Sequence, residues 1–127
     1  MSNDRTQLGR TAPTLPVADV GASCRFYEAA LGLEVTFTFE EPATYAVLKK
    51  DAAEVHLSRC SDPAPRANPV FHLIVADADW AHGRCVAAGA KVVEALRTAP
   101  WGMRTFVFED PDGHRVDVGQ PLGEEPA

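Results

Sequence analysis

The chain has no run of about 18 consecutive apolar residues, so it offers no helix long enough to span a bilayer. Its N-terminus carries Asp4 and Arg5 and lacks the apolar stretch of a secretory leader, which places the expected protein in the cytoplasm. Cysteine is scarce. Cys24, Cys60 and Cys85 stand far apart among 127 residues, which excludes a disulfide framework and a zinc knuckle. Cys24 and Cys85 fall inside helical patterns and read as small buried hydrophobes. A basic excess is also missing: 12 Lys and Arg stand against 18 Asp and Glu, a net charge of −6, which excludes an electrostatic footprint for nucleic acid. There is no Gly-x-Ser-x-Gly elbow, phosphate loop or dinucleotide fingerprint, because Gly119 and Gly123 stand outside any strand-to-helix turn. No catalytic set is legible in the chain, and no cofactor is expected.

What is present is a repeat. Leu15-Pro16-Val17-Ala18-Asp19 precedes a helical stretch that ends at Leu31-Gly32-Leu33, and Leu73-Ile74-Val75-Ala76-Asp77 precedes one that ends at Ala88-Gly89-Ala90. The spacing between the copies is nearly constant, so one supersecondary unit occurs twice. In the first helix Val20, Cys24, Tyr27 and Leu31 form one apolar stripe, with Asp19 placed to cap its start and Gly32 its end. The second stripe, Ala78, Ala81, Cys85 and Ala88, consists of small residues, which lets that helix lie close to its neighbours. Short β-type runs follow each helix: 35–39, 45–48 and 54–58, then 92–96, 105–108 and 115–118. Each half therefore reads β-α-β-β-β, an α+β architecture. The expected organisation is one domain, 1–127, with a first module 11–60, a Pro-rich linker 61–69 and a second module 70–121. Residues 1–10 and 121–127 read as an arm and a frayed tail.

Strand alternation sorts the side chains. Val55, Leu57, Phe71, Leu73, Val75, Phe106, Phe108, Val116 and Val118 belong on the face that meets the helices. Glu54, His56, Ser58, Val70, His72, Ile74, Thr105, Val107, Arg115 and Asp117 then share the other face, with Thr14. That face is either a concave binding surface or the solvated side of an antiparallel sheet. His82, on the second helix, and His114, in the tight turn, are expected at the surface.

The C-terminal part holds the most specific pattern. Pro100-Trp101-Gly102-Met103-Arg104 is followed by Asp110-Pro111-Asp112-Gly113 and by Gly119-Gln120-Pro121. Together with Val17-Ala18-Asp19, Phe26-Tyr27 and Leu31-Gly32-Leu33, it resembles the glyoxalase/bleomycin-resistance/dioxygenase (vicinal oxygen chelate) superfamily, in its bleomycin-resistance branch, over residues 12–122. The resemblance implies paired modules that form an open half-barrel with a concave crevice. It implies a homodimer that exchanges its N-terminal strand, and sequestration of a bleomycin-like glycopeptide or other cationic aromatic compound without a metal. The alternative within the superfamily is a metal-dependent lyase, isomerase or dioxygenase. Carried over onto this chain, the family's two imidazole ligand positions fall at Ala12 and Val70, which cannot ligate, and its two acidic positions at Glu54 and Asp117. His56 and His72 lie on the same face but are displaced by roughly 7 Å from a ligand register for every two residues of strand.

The expected ligand-binding set is Phe37, Phe39, Glu54, His56, His72, Trp101, Gly102, Met103 and Asp117. Phe37, Phe39 and Trp101 would supply an aromatic slot, and Met103 apolar contact. Glu54, His56, His72 and Asp117 would supply polar contacts. Trp101 follows Pro100 in a loop, outside any apolar stripe, and is read as a wall on which a flat ligand stacks.

Overall fold

The computed structural model describes residues 5–65 and 67–123; positions 1–4 of the expected arm and 124–127 of the expected tail lie outside them. Its elements run β1 (Thr14–Val17), α1 (Val20–Leu31), β2 (Glu34–Phe39), β3 (Tyr45–Lys50), β4 (Ala53–Arg59), β5 (Pro69–Ile74), α2 (Ala78–Ala87), β6 (Lys91–Ala99), β7 (Met103–Glu109) and β8 (Arg115–Pro121). Two four-stranded mixed sheets result, in the orders β1-β4-β3-β2 and β5-β8-β7-β6. The β-α-β-β-β pattern therefore occurs twice, and neither sheet closes into a barrel.

Local chemistry sets the helix ends. The Asp19 carboxylate accepts from the Ala22 N–H at 3.0 Å, and Gly32 adopts φ 72°, a left-handed stop open to glycine at little cost. Asp77 does the same for α2 by accepting from the Trp80 N–H at 3.0 Å. The small residues of α2 bring it against α1: Cys85 is fully buried with its Sγ 3.8 Å from the Ala30 carbonyl, and the Arg84 guanidinium donates to the Ala29 carbonyl at 3.0 Å. Both buried thiols are pushed up, mainly by desolvation, Cys85 to about 11, so neither is a nucleophile near neutral pH.

The helix-facing residues expected from alternation form the core, with Leu57, Phe108, Val116 and Val118 fully buried. Phe108 joins the two halves, its ring 6.0 Å from Phe26 of α1 and 6.3 Å from Phe106. Phe71 and Leu73 of β5, and Val75 just after it, depart from the expectation and are only half-buried.

His114 also differs from its expected surface position. It is 2% exposed, and its Nε2 donates to the Pro16 carbonyl at 2.6 Å. The reason is the turn 110–114, where Gly113 at φ 88° folds the chain back on Asp110. The Asp110 carboxylate accepts from the amides of Asp112 and His114, both at 2.9 Å, and from the buried Tyr27 hydroxyl at 2.7 Å. Asp112 in turn accepts from the Ala18 N–H at 3.0 Å and the Ser23 hydroxyl at 3.3 Å. A turn that reads as local chemistry thus clamps β1 and α1 to the second sheet.

Candidate functional site

The expected site residues fall into two groups, one on each sheet. On the first sheet a β-bulge between Val35 and Phe37 re-aims the strand. Val35 opposes Leu48 on the core side, whereas Phe37 opposes Val47, which opposes His56. Phe37, Val47, His56 and Thr14 therefore lie in one row across the sheet, with Phe39 opposite Tyr45 in the next. Phe37 and Phe39 are 52% and 57% exposed.

Glu54 is the electrostatic centre of this group. Its carboxylate meets the His56 Nε2 at 2.7 Å, the Arg10 guanidinium at 2.8 Å and the Lys49 ammonium at 3.8 Å. The His56 hydrogen bond first, and then Arg10, hold its pKa down to about 2. With Nε2–H given to Glu54, the His56 Nδ1 accepts from the Tyr45 hydroxyl. A folded-state pKa below the unfolded one stabilises the protein above the ordinary glutamate range of about 4.3, and that contribution is lost as pH falls toward 2. Urea midpoints measured from pH 6 to pH 2.5 should show this acid limb, and Glu54→Gln should flatten it. An unchanged limb in Glu54→Gln would assign the acid sensitivity elsewhere.

On the second sheet His72 opposes Asp117, and the His72 Nδ1 lies 3.0 Å from the Asp117 carboxylate. Asp117 also accepts from the Thr105 hydroxyl at 2.9 Å. The loop between β6 and β7 carries Trp101, 60% exposed, with the Arg97 guanidinium 5.2 Å from its ring centroid. Gly102 takes φ 86° in that loop and accepts from the Leu122 N–H at 2.9 Å. His72, Glu94, Arg97, Trp101, Met103 and Asp117 share a cavity of about 440 Å³. Of the expected set, this cavity unites His72, Trp101, Met103 and Asp117. Phe37, Phe39 and His56 do not line it.

A larger cleft of about 760 Å³ is lined by parts of β4 and β5, by the end of α1 and by the start of α2, and Glu54 and His72 both border it. No ladder joins these two strands. Phe37 and Phe39 belong to β2, and Trp101 follows β6, the outermost strands of the two sheets. Within one chain the aromatic residues thus stand on or beside edge strands of two different sheets, because strand order, which alternation cannot reveal, puts β2 and β6 at an edge. Arg97 and Glu94 were missed by the sequence reading. Strand β6 runs on to Ala99, with register shifts at Val92/Glu94 and Glu94/Arg97, and these break the simple alternation.

The register also tests the ligand positions of a divalent ion. Thr14 opposes His56 in the first sheet as His72 opposes Asp117 in the second, so His56, and not Glu54, is the counterpart of Asp117. With Ala12 and Val70 unable to ligate, each sheet offers one imidazole–carboxylate pair in which the two groups already face each other, at 2.7 Å for His56 and Glu54 and 3.0 Å for His72 and Asp117. Among the described residues no three His, Cys, Asp or Glu side chains gather as an ion would require. The described residues of a single chain therefore do not fit a resident divalent ion. No described helix is long and apolar enough to cross a membrane.

Known proteins are similar to this chain in sequence or in fold. The uncharacterized protein Mb0911c of Mycobacterium bovis is 47% identical over 54 residues, which cover 42% of this chain and 36% of that protein. The chain spans about a third of the length of the curated relatives it matches. Among solved structures, TnmS3, an antibiotic binding protein from Streptomyces sp. CB03234, superposes with a TM-score of 0.74 at 21% identity, covering 93% of this chain and 99% of that one. A bleomycin resistance determinant encoded on the transposon Tn5 superposes with a TM-score of 0.70 at 21% identity, covering 90% and 98%. A family model matches residues 7–118, and with the paired β-α-β-β-β units it shows that this chain belongs to the Glyoxalase/Bleomycin resistance protein/Dioxygenase superfamily.

Proposed function

We propose that this protein binds a flat, cationic small molecule and sequesters it without a metal and without altering it, a bleomycin-like glycopeptide being the type of ligand. The observation that carries this reading is Trp101. An indole that is 60% exposed borders a cavity that also holds the Glu94 and Asp117 carboxylates, and its ring already lies beside one cation, Arg97. A ring face that attracts a guanidinium attracts a cationic heteroaromatic for the same reason, its negative quadrupole. The antibiotic binding of TnmS3 and the bleomycin resistance of the Tn5 determinant support the class of ligand. The protein would act as a cytoplasmic homodimer, with the first sheet of one copy bringing Phe37, Phe39, Glu54 and His56 across from the partner's Trp101. Exchange of the N-terminal strand would be the means of that pairing.

Titration with bleomycin and phleomycin, read by thermal shift and by Trp fluorescence, tests the proposal, since a ligand of the native state raises the melting midpoint by linkage. Trp101→Ala should weaken binding by about 5- to 30-fold, the worth of roughly 1–2 kcal/mol of desolvated cation–π contact. Absence of a shift with either drug would remove the sequestration reading. A stoichiometric divalent ion in the purified protein would replace it with the lyase or dioxygenase alternative.

A further inference from the structure

The repeated segments Leu15–Asp19 and Leu73–Asp77 each end a strand and cap a helix, and β1 and β5 are both edge strands of their sheets, yet the two edges are finished differently. In the first sheet the Cys60 N–H donates to the Val17 carbonyl at 2.8 Å, and in the second the Val75 N–H donates to the Gly119 carbonyl at 2.9 Å. Peptide groups alternate in direction along a strand of a parallel ladder, so Pro16 and Ile74, each the preceding residue, turn theirs away from the sheet. At Pro16 the edge is closed: proline has no N–H, and its carbonyl accepts from the His114 Nε2 at 2.6 Å. The turn that brings His114 there, 110–114, is long, and Leu15 and Val17 are buried beneath it. Its counterpart between β3 and β4 is Asp51 and Ala52 alone, and these line the cleft of about 760 Å³ beside β5. Leu73 and Val75 stay half-buried there. His72 and Ile74 each keep an N–H and a carbonyl on the open side of β5, and among the described residues no strand pairs with that side.

We propose that the free edge of β5 and the cleft beside it dock an extended peptide of basic and apolar residues, which adds to the second sheet as a strand. An open edge that presents donors and acceptors every second residue pairs with the backbone of an extended chain, and the flanking pocket selects its side chains. Alternate side chains of the peptide enter the cleft, whose apolar wall is Leu31, Leu33, Phe71, Leu73 and Val75. The remaining lining sets the charge of the occupant. Asp51, Glu54 and Asp77 stand there against Lys50 alone. Glu54 is already matched by Arg10, Lys49 and His56, whereas neither Asp51 nor Asp77 forms an ion pair among the described residues. Two unmatched carboxylates beside an apolar wall call for lysine or arginine between apolar residues, and the net charge of −6 attracts such a peptide at longer range. The cleft shares His72, Leu73 and Ile74 with the cavity beside Trp101 but none of that cavity's aromatic wall.

The capped pentapeptide acetyl-Lys-Val-Thr-Val-Lys-amide, titrated into the full chain and followed by amide NMR, tests the site. It should shift the His72 and Ile74 amides saturably and slow their hydrogen exchange. The same peptide with glutamate for both lysines should bind roughly five- to thirty-fold more weakly, since two attractive pairs become repulsive. Two N-methylated peptides, one blocked at both valine amides and one at the threonine and second lysine amides, should differ: one loses binding and the other keeps it, because only one edge of an added strand faces β5. Ile74→Pro, which copies Pro16, removes a donor from the edge and should weaken the lysine peptide by roughly five- to twenty-fold. Asp51→Asn, at an exposed position, should weaken it by roughly two- to five-fold. Trp101→Ala should leave it in place, which separates this edge from the bleomycin reading. The proposal is overturned by His72 and Ile74 amides that do not respond, by a glutamate peptide that binds as tightly, by N-methylated peptides that behave alike, or by peptide binding that disappears in Trp101→Ala. It is equally overturned if Ile74→Pro halves the molecular mass in solution, because a second copy of the chain would then be the occupant.

Discussion

Asp110→Ala is expected to lower unfolding free energy by roughly 3–5 kcal/mol, because it strips the acceptor from several donors at once and each buried donor left unpaired costs about 1–3 kcal/mol. The donors are the fully buried Tyr27 hydroxyl and the amides of Asp112 and His114. Against a total of about 5–15 kcal/mol for an ordinary domain, this loss is severe, and the melting midpoint should fall by roughly 10–20 °C. Asp110→Asn keeps an acceptor in place and should cost far less. Burial raises the Asp110 carboxyl above its ordinary value, against the lowering effect of Tyr27. The native state therefore binds this proton more tightly than the unfolded chain. As pH falls from the raised value toward the ordinary aspartate range near about 3.9, the contribution of Asp110 rises, opposite in sign to that of Glu54. Urea unfolding of wild type, Asp110→Asn and Asp110→Ala at pH 7 and pH 5 measures both effects. A loss below about 1 kcal/mol for Asp110→Ala at pH 7, no more than one ordinary hydrogen bond, would show that the clamp does not hold the two sheets together.

Phe108→Ala should cost a comparable amount, about 3–5 kcal/mol, the usual range for deleting a buried phenyl ring. The ring is 0% exposed and lies between Phe26 of α1 and Phe106, so neither sheet can relax into the space without moving the helix layer. Phe71→Ala provides the contrast. Phe71 is half-buried on the open cleft, where removing it enlarges a space already reached by solvent, and a cost of about 1–2 kcal/mol is expected from lost apolar area alone. Denaturant midpoints for the two variants, at unchanged slope, give the comparison. Equal losses would mean that the cleft is filled in solution, either by a ligand carried through purification or by another chain.

The sequence reading succeeded where the physics is local. Asp19 and Gly32 bracket α1, and Asp77 starts α2, because capping needs only a side-chain oxygen near a few amides or a residue free to adopt positive φ. Alternation placed Val55, Leu57, Phe106, Phe108, Val116 and Val118 on the core side, where the structure buries them. It failed at irregularities. The shifts in β6 bring Glu94 and Arg97 to the cavity of Trp101, which a strict two-residue period cannot express. A turn after Asp-Pro-Asp-Gly reads as exposed, yet the burial of His114 depends on a strand 98 positions away.

By itself the amino-acid sequence determined the repeated β-α-β-β-β unit, the helix limits, and the exposure of Trp101, since each depends on neighbours within a few residues. Only the tertiary structure decided which of two matching segments would be sealed. Leu15 and Leu73 stand in the same five-residue motif, but the turn that reaches the first is long and the one facing the second is short. Burial is a property of what packs against a residue. The partner that covers one copy, or leaves the other open to a ligand, comes from the far half of the chain.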